Sequence, residues 1–579
     1  MKKTKMVCTI GPASEQKDQL EALINAGMNV MRMNFSHGDH VEQGFRIKNV
    51  KALNAEKGWN IGIMLDTKGP EIRTGYLKND EPVMLTEGNT IRITMDYSYL
   101  GDANKVAISY PGLYDDISVG GRILIEDGNL TLTVTEKDEA NHELVCRIEN
   151  SRKLKNKRNC NVPGVILNMD YIAPKDKDDI EFGCDEDVDF ISASFIRRPQ
   201  DIKDIRDILA AKKNDHIKII SKIENQEGVS NMEEIIALSD GVMVARGDLG
   251  VDVDAWDLPA IQKEMIYLAQ ASGKIVVTAT QMLDSMQQNP RPTRAEVSDV
   301  HNAVLDGTSA TMLSGESAQG DYPLEAVTYM AKIDERAEDD IDHELMIDNV
   351  LSYPNEKNEI DAIGLAVAQV ANNFEVAAVV AEGDQELAFK ISQYRPAADV
   401  FFATKERSDC RSLQLAWGVQ PVCGKLEDAY KAGKLKAIGI SNFLIGDIES
   451  LMETAEIKPM VNQILLHISN TPLEIVEYCQ KNGIAVEAYS PIAHGEILNQ
   501  PQIKEMADKY GVSVPQLCIR YTLQLGAISL PKTGNPAHMK TNADVDFEIS
   551  AEDMEVLKHF KKIESYGANS GFPVYGGRL

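Results

Sequence analysis

Short apolar runs alternate with helix-like stretches along the first part of the chain, and this alternation restricts the possible folds more than any other feature. Each run is followed by a segment whose apolar residues repeat with a period near 3.6, the pattern of parallel β-α units. Eight units close a TIM barrel, so we predict an α/β fold with a (β/α)8 barrel. The runs are residues 5–10, 29–35, 61–67, 188–196, 217–224, 241–247, 274–280 and 308–314.

Polar residues follow the carboxyl ends of six predicted strands. Catalytic residues of TIM barrels lie at this end, so the sequence predicts an active site there. These residues are Arg32, Asn34 and Ser36, Asp66 and Thr67, Lys222 and Glu224, Arg246 and Asp248, Thr278 and Thr280, and Ser314 and Glu316.

Two carboxylates and one lysine carry the first chemical interpretation. Glu224 and Asp248 end neighbouring strands and would share one Mg²⁺ or Mn²⁺, unless each only caps the helix that follows. Lys222 precedes Glu224 by two residues and therefore faces the same mouth. Its ammonium would stabilise an enolate or a phosphoryl group in transfer, the alternative being a solvated surface lysine.

The remaining polar residues suit phosphate and a monovalent cation. Arg32 and Arg73 would clamp phosphate through charge-assisted hydrogen bonds, unless they form surface ion pairs. Oxygen donors that favour a monovalent cation over zinc occur at Asn34, Ser36, Asp66 and Thr67. Together these residues indicate a phosphoryl-transfer site.

The rest of the chain predicts three further regions. Residues 69–169 contain short alternating runs and form an inserted small β-barrel domain, so the catalytic barrel comprises residues 1–68 and 170–345. Residues 346–422 are a truncated α/β C-terminal domain. Residues 423–579 contain a second, shorter series of four β-α units, which amounts to half a barrel and leaves two strand edges unpaired.

Composition excludes several classes of protein. The formal net charge of −29 repels nucleic acid and anionic lipid, so neither is an expected partner. Eight cysteines without a CxxC pair argue against a zinc ribbon or a disulfide framework. No apolar run is long enough to span a membrane, and no signal peptide is evident. We therefore expect a cytoplasmic globular protein.

Residues 1 to about 422 resemble the pyruvate kinase family. The motifs that carry the resemblance are VCTIGPAS (7–14), MRMNFSHG (31–38), LDTKGPEIRTG (65–75), SKIEN (221–225), ARGDLG (245–250), TATQML (278–283), PRPTRAE (290–296) and MLSGE (312–316). The resemblance implies transfer of the phosphoryl group of phosphoenolpyruvate to ADP, giving pyruvate and ATP. It also implies a homo-oligomer, a tetramer in that family.

The resemblance also implies roles for individual residues. Mg²⁺ or Mn²⁺ would be held by Glu224 and Asp248, and K⁺ by Asn34, Ser36, Asp66 and Thr67, with Glu71 favouring a nearby cation. The implied catalytic residues are Lys222, Arg32, Arg73, Thr280, Ser314 and Glu316, the last three near the point of proton delivery. Substrate would contact Arg32, Gly247, Asp248 and Thr280, and the nucleotide would contact Asn34, His37, Arg73 and Arg158.

Residues 424–579 resemble the C-terminal half of an aldo-keto reductase. The resemblance rests on residues 433–443, 461–463, 487–491 and 530–533, and it implies a remnant NADP site at Ser441, Asn442, Gln463, Tyr489, Lys532 and Thr533. The catalytic residues of that family belong to the missing half of its barrel, and His538 replaces an arginine that helps to select NADP. We therefore expect no reductase activity. The main alternative to a working kinase is a chain that binds phosphoenolpyruvate, metal or NADP without turnover.

Overall fold

The structure is a computed structural model that describes residues 1–354, 357–373, 376–433, 435–533 and 535–562. The chain divides into two compact units, the first Met1–Cys423 and the second beginning at Gly424. Among the described residues, no helix has the length and apolar character needed to cross a lipid bilayer.

The first unit begins with three parallel strands and the helices between them. Asp39 caps the second helix by accepting hydrogen bonds from the backbone N–H groups of Val41 and Glu42, and Gly58 ends that helix in the left-handed region. The elements are β1 (Lys5–Thr9), α1 (Lys17–Ala26), β2 (Val30–Asn34), α2 (His40–Lys57) and β3 (Gly62–Asp66).

An inserted β domain follows β3. Its strands form a seven-stranded sheet, order β4-β12-β8-β9-β10-β6-β7, and a two-stranded sheet, β11-β5, around a separate apolar core. The elements are β4 (Ile72–Arg73), β5 (Val83–Leu85), β6 (Thr90–Thr94), β7 (Lys105–Ala107), α3 (Leu113–Asp116), β8 (Arg122–Ile125), β9 (Leu130–Asp138), β10 (Glu143–Ile148), β11 (Arg152–Leu154) and β12 (Asn159–Asn161), with a 3-10 turn at Lys78–Asp80.

Five more strands complete the barrel. The elements are α4 (Pro174–Asp185), β13 (Phe190–Ala193), α5 (Pro199–Ala211), β14 (Lys218–Ile223), α6 (Gln226–Ser230), α7 (Met232–Leu238), β15 (Gly241–Ala245), α8 (Arg246–Asp252), α9 (Leu258–Ala271), β16 (Ile275–Ala279), α10 (Arg294–Leu305), β17 (Ala310–Leu313), α11 (Gly315–Ala318) and α12 (Pro323–Glu338), with a 3-10 turn at Asp284–Gln287.

The eight parallel strands close in the order β1-β17-β16-β15-β14-β13-β3-β2. The predicted (β/α)8 barrel is therefore confirmed. Strands such as β1, β15 and β16 are buried at every position, because side chains inside the barrel cover one face and helices cover the other. This double burial explains why the strands read as continuous apolar runs in the sequence.

The first unit ends in a small α/β region. Its three parallel strands lie in the order β18-β19-β20. The elements are α13 (His343–Ser352), α14 (Glu359–Asn373), β18 (Ala378–Glu382), α15 (Gln385–Gln393), β19 (Asp399–Thr404), α16 (Arg407–Ser412) and β20 (Val419–Cys423), with a 3-10 turn at Leu413–Leu415.

The second unit contains a four-stranded parallel sheet, order β21-β22-β23-β24. The predicted half barrel is confirmed. The elements are α17 (Leu426–Lys431), β21 (Gly439–Ser441), α18 (Ile445–Thr454), β22 (Val461–Leu465), α19 (Leu473–Lys481), β23 (Ala485–Tyr489), α20 (Pro501–Tyr510), α21 (Val514–Gln524), β24 (Ile528–Leu530), α22 (Pro536–Ala543) and α23 (Ala551–Lys558), with a 3-10 segment at Ala493–Asn499.

The eight cysteines are all free thiols, and seven of them are buried. Burial raises the pKa of Cys518 and Cys410 to about 12, so these thiols stay protonated at neutral pH. Cys423, the last residue of β20, is the exposed one.

Candidate active site

A buried lysine occupies the centre of the barrel mouth. Lys222, on β14, is 8 % exposed. Its Nζ lies 3.0 Å from Glu224 Oε1 and 3.2 Å from Asp66 Oδ1, and it donates a hydrogen bond to Ser194 Oγ at 2.7 Å. Burial acts to lower the pKa of Lys222, but the carboxylates of Asp66 and Glu224 outweigh it and raise the pKa above its usual value. The ammonium is therefore a buried charge and not a solvated surface group.

Two carboxylates lie beside this ammonium. Glu224 follows β14 and is 1 % exposed, while Asp248 lies in the first turn of α8. Burial, aided by the Asp248 charge and opposed by Lys222, raises the pKa of Glu224 to about 7. Burial also raises the pKa of Asp248. The helix after Glu224 is capped by Asn225, so Glu224 does not serve as that cap.

Glu224, which is buried, and Asp248, which is half-buried, form a mutually repelling pair of carboxylates that suits a hard divalent cation. Among the described residues, no group of three or more histidine, cysteine, aspartate or glutamate side chains has a metal-binding arrangement. A divalent cation held by Glu224 and Asp248 would need further oxygen ligands besides these two carboxylates.

The two predicted phosphate-binding arginines have different environments. Arg32, on β2, is 6 % exposed; its Nε donates to Asp66 Oδ2 at 2.8 Å and its Nη1 donates to Thr9 Oγ1 at 2.8 Å. Arg73, on β4 of the inserted domain, has a side chain that is 33 % exposed and pairs with Glu71 Oε2 at 2.7 Å. Lys68 Nζ also lies near this carboxylate, 3.7 Å from Glu71 Oε2.

The residues predicted to hold K⁺ lie on adjoining strand ends. Asn34 and Asp66 are register partners across β2 and β3. Asn34 Oδ1 accepts a hydrogen bond from the Ser36 backbone N–H at 2.9 Å, and Thr67 Oγ1 accepts one from the Ser194 backbone N–H at 3.1 Å. Although burial opposes it, the charges of Arg32 and Lys222 lower the pKa of Asp66, so its carboxylate stays ionised.

The two other predicted nucleotide contacts lie in loops. His37 follows β2, and its backbone carbonyl accepts a hydrogen bond from Gln43 Nε2 at 3.0 Å. Arg158 immediately precedes β12 in the inserted domain, and its Nε lies 3.6 Å from Glu126 Oε1. No direct contact joins His37 or Arg158 to Lys222 among the interactions of the described residues.

Thr280 is held in a strained backbone conformation. It has φ +66° and Gln281 has φ +55°, a region that non-glycine residues rarely adopt. Arg246 donates to the Thr280 carbonyl at 2.7 Å and is itself anchored by Asp299 at 2.6 Å. Thr280 Oγ1 accepts a hydrogen bond from the Gly247 backbone N–H at 3.0 Å. The structure therefore brings Gly247 and Thr280 together, as the sequence predicts.

Glu316 is buried next to Ser314. Its Oε2 accepts from the Ser314 backbone N–H at 2.8 Å and its Oε1 from the Leu283 backbone N–H at 3.1 Å. Burial raises the pKa of Glu316. The carboxyl is thus fixed by backbone donors and kept closer to its neutral form than an exposed glutamate.

Sequence reasoning missed Ser194. It follows β13, the fourth barrel strand, and it contacts both Lys222 and the Asp66–Thr67 segment. Serine is uncharged and a second serine, Ser192, lies in the same predicted run, so its residue type gave no signal. Its position near the carboxyl end of the fourth predicted run, residues 188–196, was the signal that could have identified it.

A cleft of about 370 Å³ separates the inserted domain from the barrel. Its lining joins the barrel loops to the chain that returns from the inserted domain, and includes Glu71, Asn161, Phe195 and Asp248. Of the two carboxylates, Asp248 therefore lines the cleft, and so does Asn225, the residue that follows Glu224 in the chain.

The predicted dinucleotide residues of the second unit lie on or just after its strands. Asn442 Nδ2 donates to Tyr489 Oη at 3.2 Å, Ser441 Oγ donates to the Gln463 carbonyl at 3.3 Å, and Gln463 Nε2 donates to Glu487 Oε2 at 2.9 Å. Ser441 and Tyr489 end β21 and β23, Gln463 is the middle residue of β22, and Asn442 follows β21, so the structure brings the four predicted residues together on neighbouring strands. Lys532 and Thr533 follow β24, the neighbouring strand.

Comparisons with known proteins agree with this geometry. The family described as pyruvate kinase, barrel domain, matches residues 1–327, and the aldo/keto reductase family matches residues 395–562. Pyruvate kinases of Bacillus licheniformis and Geobacillus stearothermophilus are each 49 % identical to the chain, over 73 % and 72 % of it and over 72 % and 71 % of their own lengths.

Solved structures agree with these sequence matches. The crystal structure of a pyruvate kinase from Cryptosporidium parvum superposes with a TM-score of 0.71 at 38 % identity, covering 75 % of this chain and 92 % of that one. A buried lysine and two carboxylates at the mouth of a closed eight-stranded barrel, together with these relatives over nearly three quarters of the sequence, lead to one assignment: the chain belongs to the pyruvate kinase family.

Proposed function

We propose that the chain transfers the phosphoryl group of phosphoenolpyruvate to ADP, giving pyruvate and ATP. The observation that carries the proposal is the Lys222 ammonium, buried between Asp66 and Glu224 at the barrel mouth. Because this site is buried away from water, an ammonium stabilises negative charge there far better than it would in water. It would lie against the phosphoryl group during transfer and against the enolate that remains.

Other residues of the mouth orient the substrate. Arg32, fixed by Asp66 and Thr9, presents a buried guanidinium to the phosphate. The Gly247 backbone, Asp248 and Thr280 would contact the substrate carboxylate. Holding Thr280 in a strained conformation through Arg246 pre-organises this contact, because the backbone need not rearrange when substrate binds.

Two cation sites support this reaction. Glu224 and Asp248 would hold Mg²⁺ or Mn²⁺, and Asn34, Ser36, Asp66 and Thr67 would hold K⁺. Bound there, the cations would neutralise phosphate and carboxylate charge and orient the transferring group. Asn34, His37, Arg73 and Arg158 would contact ADP; the last two belong to the inserted domain, so the nucleotide site needs that domain near the barrel.

The final step adds a proton to the enolate carbon and so completes pyruvate. The candidates are Thr280, Ser314 and Glu316. Burial raises the pKa of Glu316, so this carboxyl would hold the proton or relay it. Its Oε2 lies next to Ser314, whose backbone N–H donates to it.

The proposed domains are residues 1–68 and 170–345, 69–169, 346–422 and 423–579. We propose that the last retains at most weak NADP binding, since the four-stranded sheet supplies Ser441, Asn442, Gln463 and Tyr489 without a catalytic half. We further propose that the protein is a homo-oligomer in the cytoplasm and has no nucleic acid or membrane partner.

A coupled assay tests the proposed reaction. With phosphoenolpyruvate, ADP, Mg²⁺ and K⁺ we expect pyruvate to form, and Lys222→Ala to lower kcat by more than about a thousandfold, since it removes the main charge that stabilises the transition state. Lys218→Ala, on the same strand at its amino end, is the matched control and should retain turnover.

Normal turnover by Lys222→Ala would overturn the assignment of that residue. Folded protein that binds phosphoenolpyruvate without producing pyruvate would instead favour the binding-only alternative. NADPH oxidation with simple aldehydes, abolished by Tyr489→Ala, would show a reductase activity that the proposal excludes.

A further inference from the structure

Ser194 lies where three parts of the site meet. It follows β13, is 2 % exposed, contacts the Lys222 ammonium and the Asp66–Thr67 segment, and lies close to Gly69, where the inserted domain begins. These contacts involve its hydroxyl, its backbone N–H and its backbone carbonyl. Ser194 thus joins segments that are distant in the sequence.

The hydroxyl forms a directed pair of hydrogen bonds. Lys222 Nζ lies 2.7 Å from Ser194 Oγ, and the ammonium can only donate. The single hydroxyl proton therefore points away from Lys222. The Thr67 carbonyl at 2.6 Å is its nearest acceptor, with Asp66 Oδ1 at 3.3 Å. Lys222 thus donates to the Ser194 hydroxyl, and that hydroxyl donates to the Thr67 carbonyl.

The backbone of Ser194 is held on both sides. Its N–H donates to Thr67 Oγ1 at 3.1 Å, and its carbonyl accepts from Tyr171 Oη at 2.9 Å. A Cβ added at Gly69 would lie 2.8 Å from the same carbonyl. A shift of Ser194 would therefore strain its contacts with residues 67–69, and its hydroxyl links that segment to Lys222.

We propose that Ser194 is a positioning residue, which fixes the Lys222 ammonium and couples it to the cation-binding segment Asp66–Thr67. The inference rests on the proposed function, because that function gives Lys222 its role and assigns K⁺ to Asp66 and Thr67. These two residues provide the acceptors for the Ser194 hydroxyl. The hydrogen bond from Lys222 to Ser194 therefore depends on Asp66 and Thr67, the residues that would also bind K⁺.

Removing the hydroxyl tests the proposal kinetically. We expect Ser194→Ala to lower kcat by about ten- to a hundredfold, because an ammonium displaced by roughly 1 Å loses that much rate. The KM for phosphoenolpyruvate should change by less than about threefold, and the K⁺ concentration for half-activation should rise. Ser194→Thr, which keeps a hydroxyl, should recover most of the kcat lost in Ser194→Ala.

Ser309→Ala is the control. Ser309 immediately precedes β17 at the amino end of the barrel, is 4 % exposed, and its hydroxyl accepts a hydrogen bond from the Val276 backbone N–H at 3.2 Å. This variant should keep the wild-type kcat and K⁺ response. Equal kcat and equal K⁺ half-activation in Ser194→Ala and Ser309→Ala would overturn the proposal.

A second measurement does not depend on turnover. KCl, compared with tetramethylammonium chloride at equal ionic strength, should raise the midpoint of thermal unfolding in the wild type and in Ser309→Ala, and by less than half as much in Ser194→Ala. A wild-type midpoint that KCl does not raise, or an undiminished rise in Ser194→Ala, would overturn the proposal. If the wild type produces no pyruvate, the proposed reaction fails, and this comparison alone decides the coupling.

Discussion

At the scale of single residues, Gly69 is a position where backbone conformation and packing both restrict the sequence. It has φ +72°, its N–H donates to Asp176 Oδ1 at 3.0 Å, and the Ser194 carbonyl occupies the space that a Cβ would need. Glycine is required there twice over, first by the left-handed conformation and then by the close approach.

We therefore expect Gly69→Ala to lower the free energy of unfolding of the first unit by about 1–3 kcal/mol and to reduce kcat, because the strain falls on Ser194. Denaturant unfolding and the coupled assay measure the two effects. Gly88→Ala in the inserted domain is the control, since Gly88 has φ +80° with no atom within 4 Å of the added carbon. Equal losses of unfolding free energy and of kcat in the two variants would show that close packing at Gly69 contributes to neither.

Residue types at strand ends predicted much of the site. Lys222, Glu224 and Asp66 were identifiable because a charged side chain at the end of a buried barrel strand faces the mouth, where it needs a charged partner or a ligand. Their mutual distances, the strain at Thr280 and the anchoring of Arg246 were not predictable, because each depends on contacts between segments distant in sequence. Roles for these residues stay proposals until the assays above are performed.

At the scale of elements, the strands were predictable because barrel strands buried on both faces form continuous apolar runs. The predicted runs extend past the observed strands, as at residues 188–196 against Phe190–Ala193, because apolar residues such as Phe195 and Ile196 continue into the loop while the hydrogen-bonded ladder stops. The long interval between β3 and β13 predicted an insertion, but the pairing order of its strands required the structure.

His467, just after β22, gives the half barrel a pH-dependent stability. Burial lowers its pKa to about 3, with a smaller contribution from His494. Below pH 6.5 the unfolded chain binds a proton at this imidazole that the folded unit does not, so the free energy of unfolding falls as pH falls towards 3. The loss approaches about 1.4 kcal/mol per pH unit.

Denaturant titrations of the second unit between pH 7 and pH 4 measure this slope. We expect His467→Gln to flatten it, and His538→Gln, at an exposed position, to leave it unchanged. A wild-type slope that His467→Gln does not alter would contradict the argument.

At the scale of the whole molecule, the two units have separate apolar cores. The barrel core contains residues such as Ile63 and Val244, whereas the second unit packs around Ile464 and Tyr521. The sheet of the second unit ends at β21 and β24, and Ile528 of β24 is 49 % exposed. A sheet of four parallel strands with two open edges buries less than a closed barrel.

We expect two transitions in calorimetry of the full chain, with residues from 424 onward unfolding at the lower temperature. Phosphoenolpyruvate with MgCl₂ and KCl should raise only the upper midpoint, since the proposed ligands bind the first unit. A single transition, or a ligand shift of both midpoints, would contradict this prediction.

The exposed thiol at the end of β20, Cys423, is a site for selective labelling. Because the other seven cysteines are buried, a maleimide dye should attach to Cys423 with little competition, without engineering of the native sequence. The label would stand immediately before Gly424, where one compact unit gives way to the next. Fluorescence from that one position could follow the junction during heating or ligand addition, and so record the behaviour of the boundary that divides this chain.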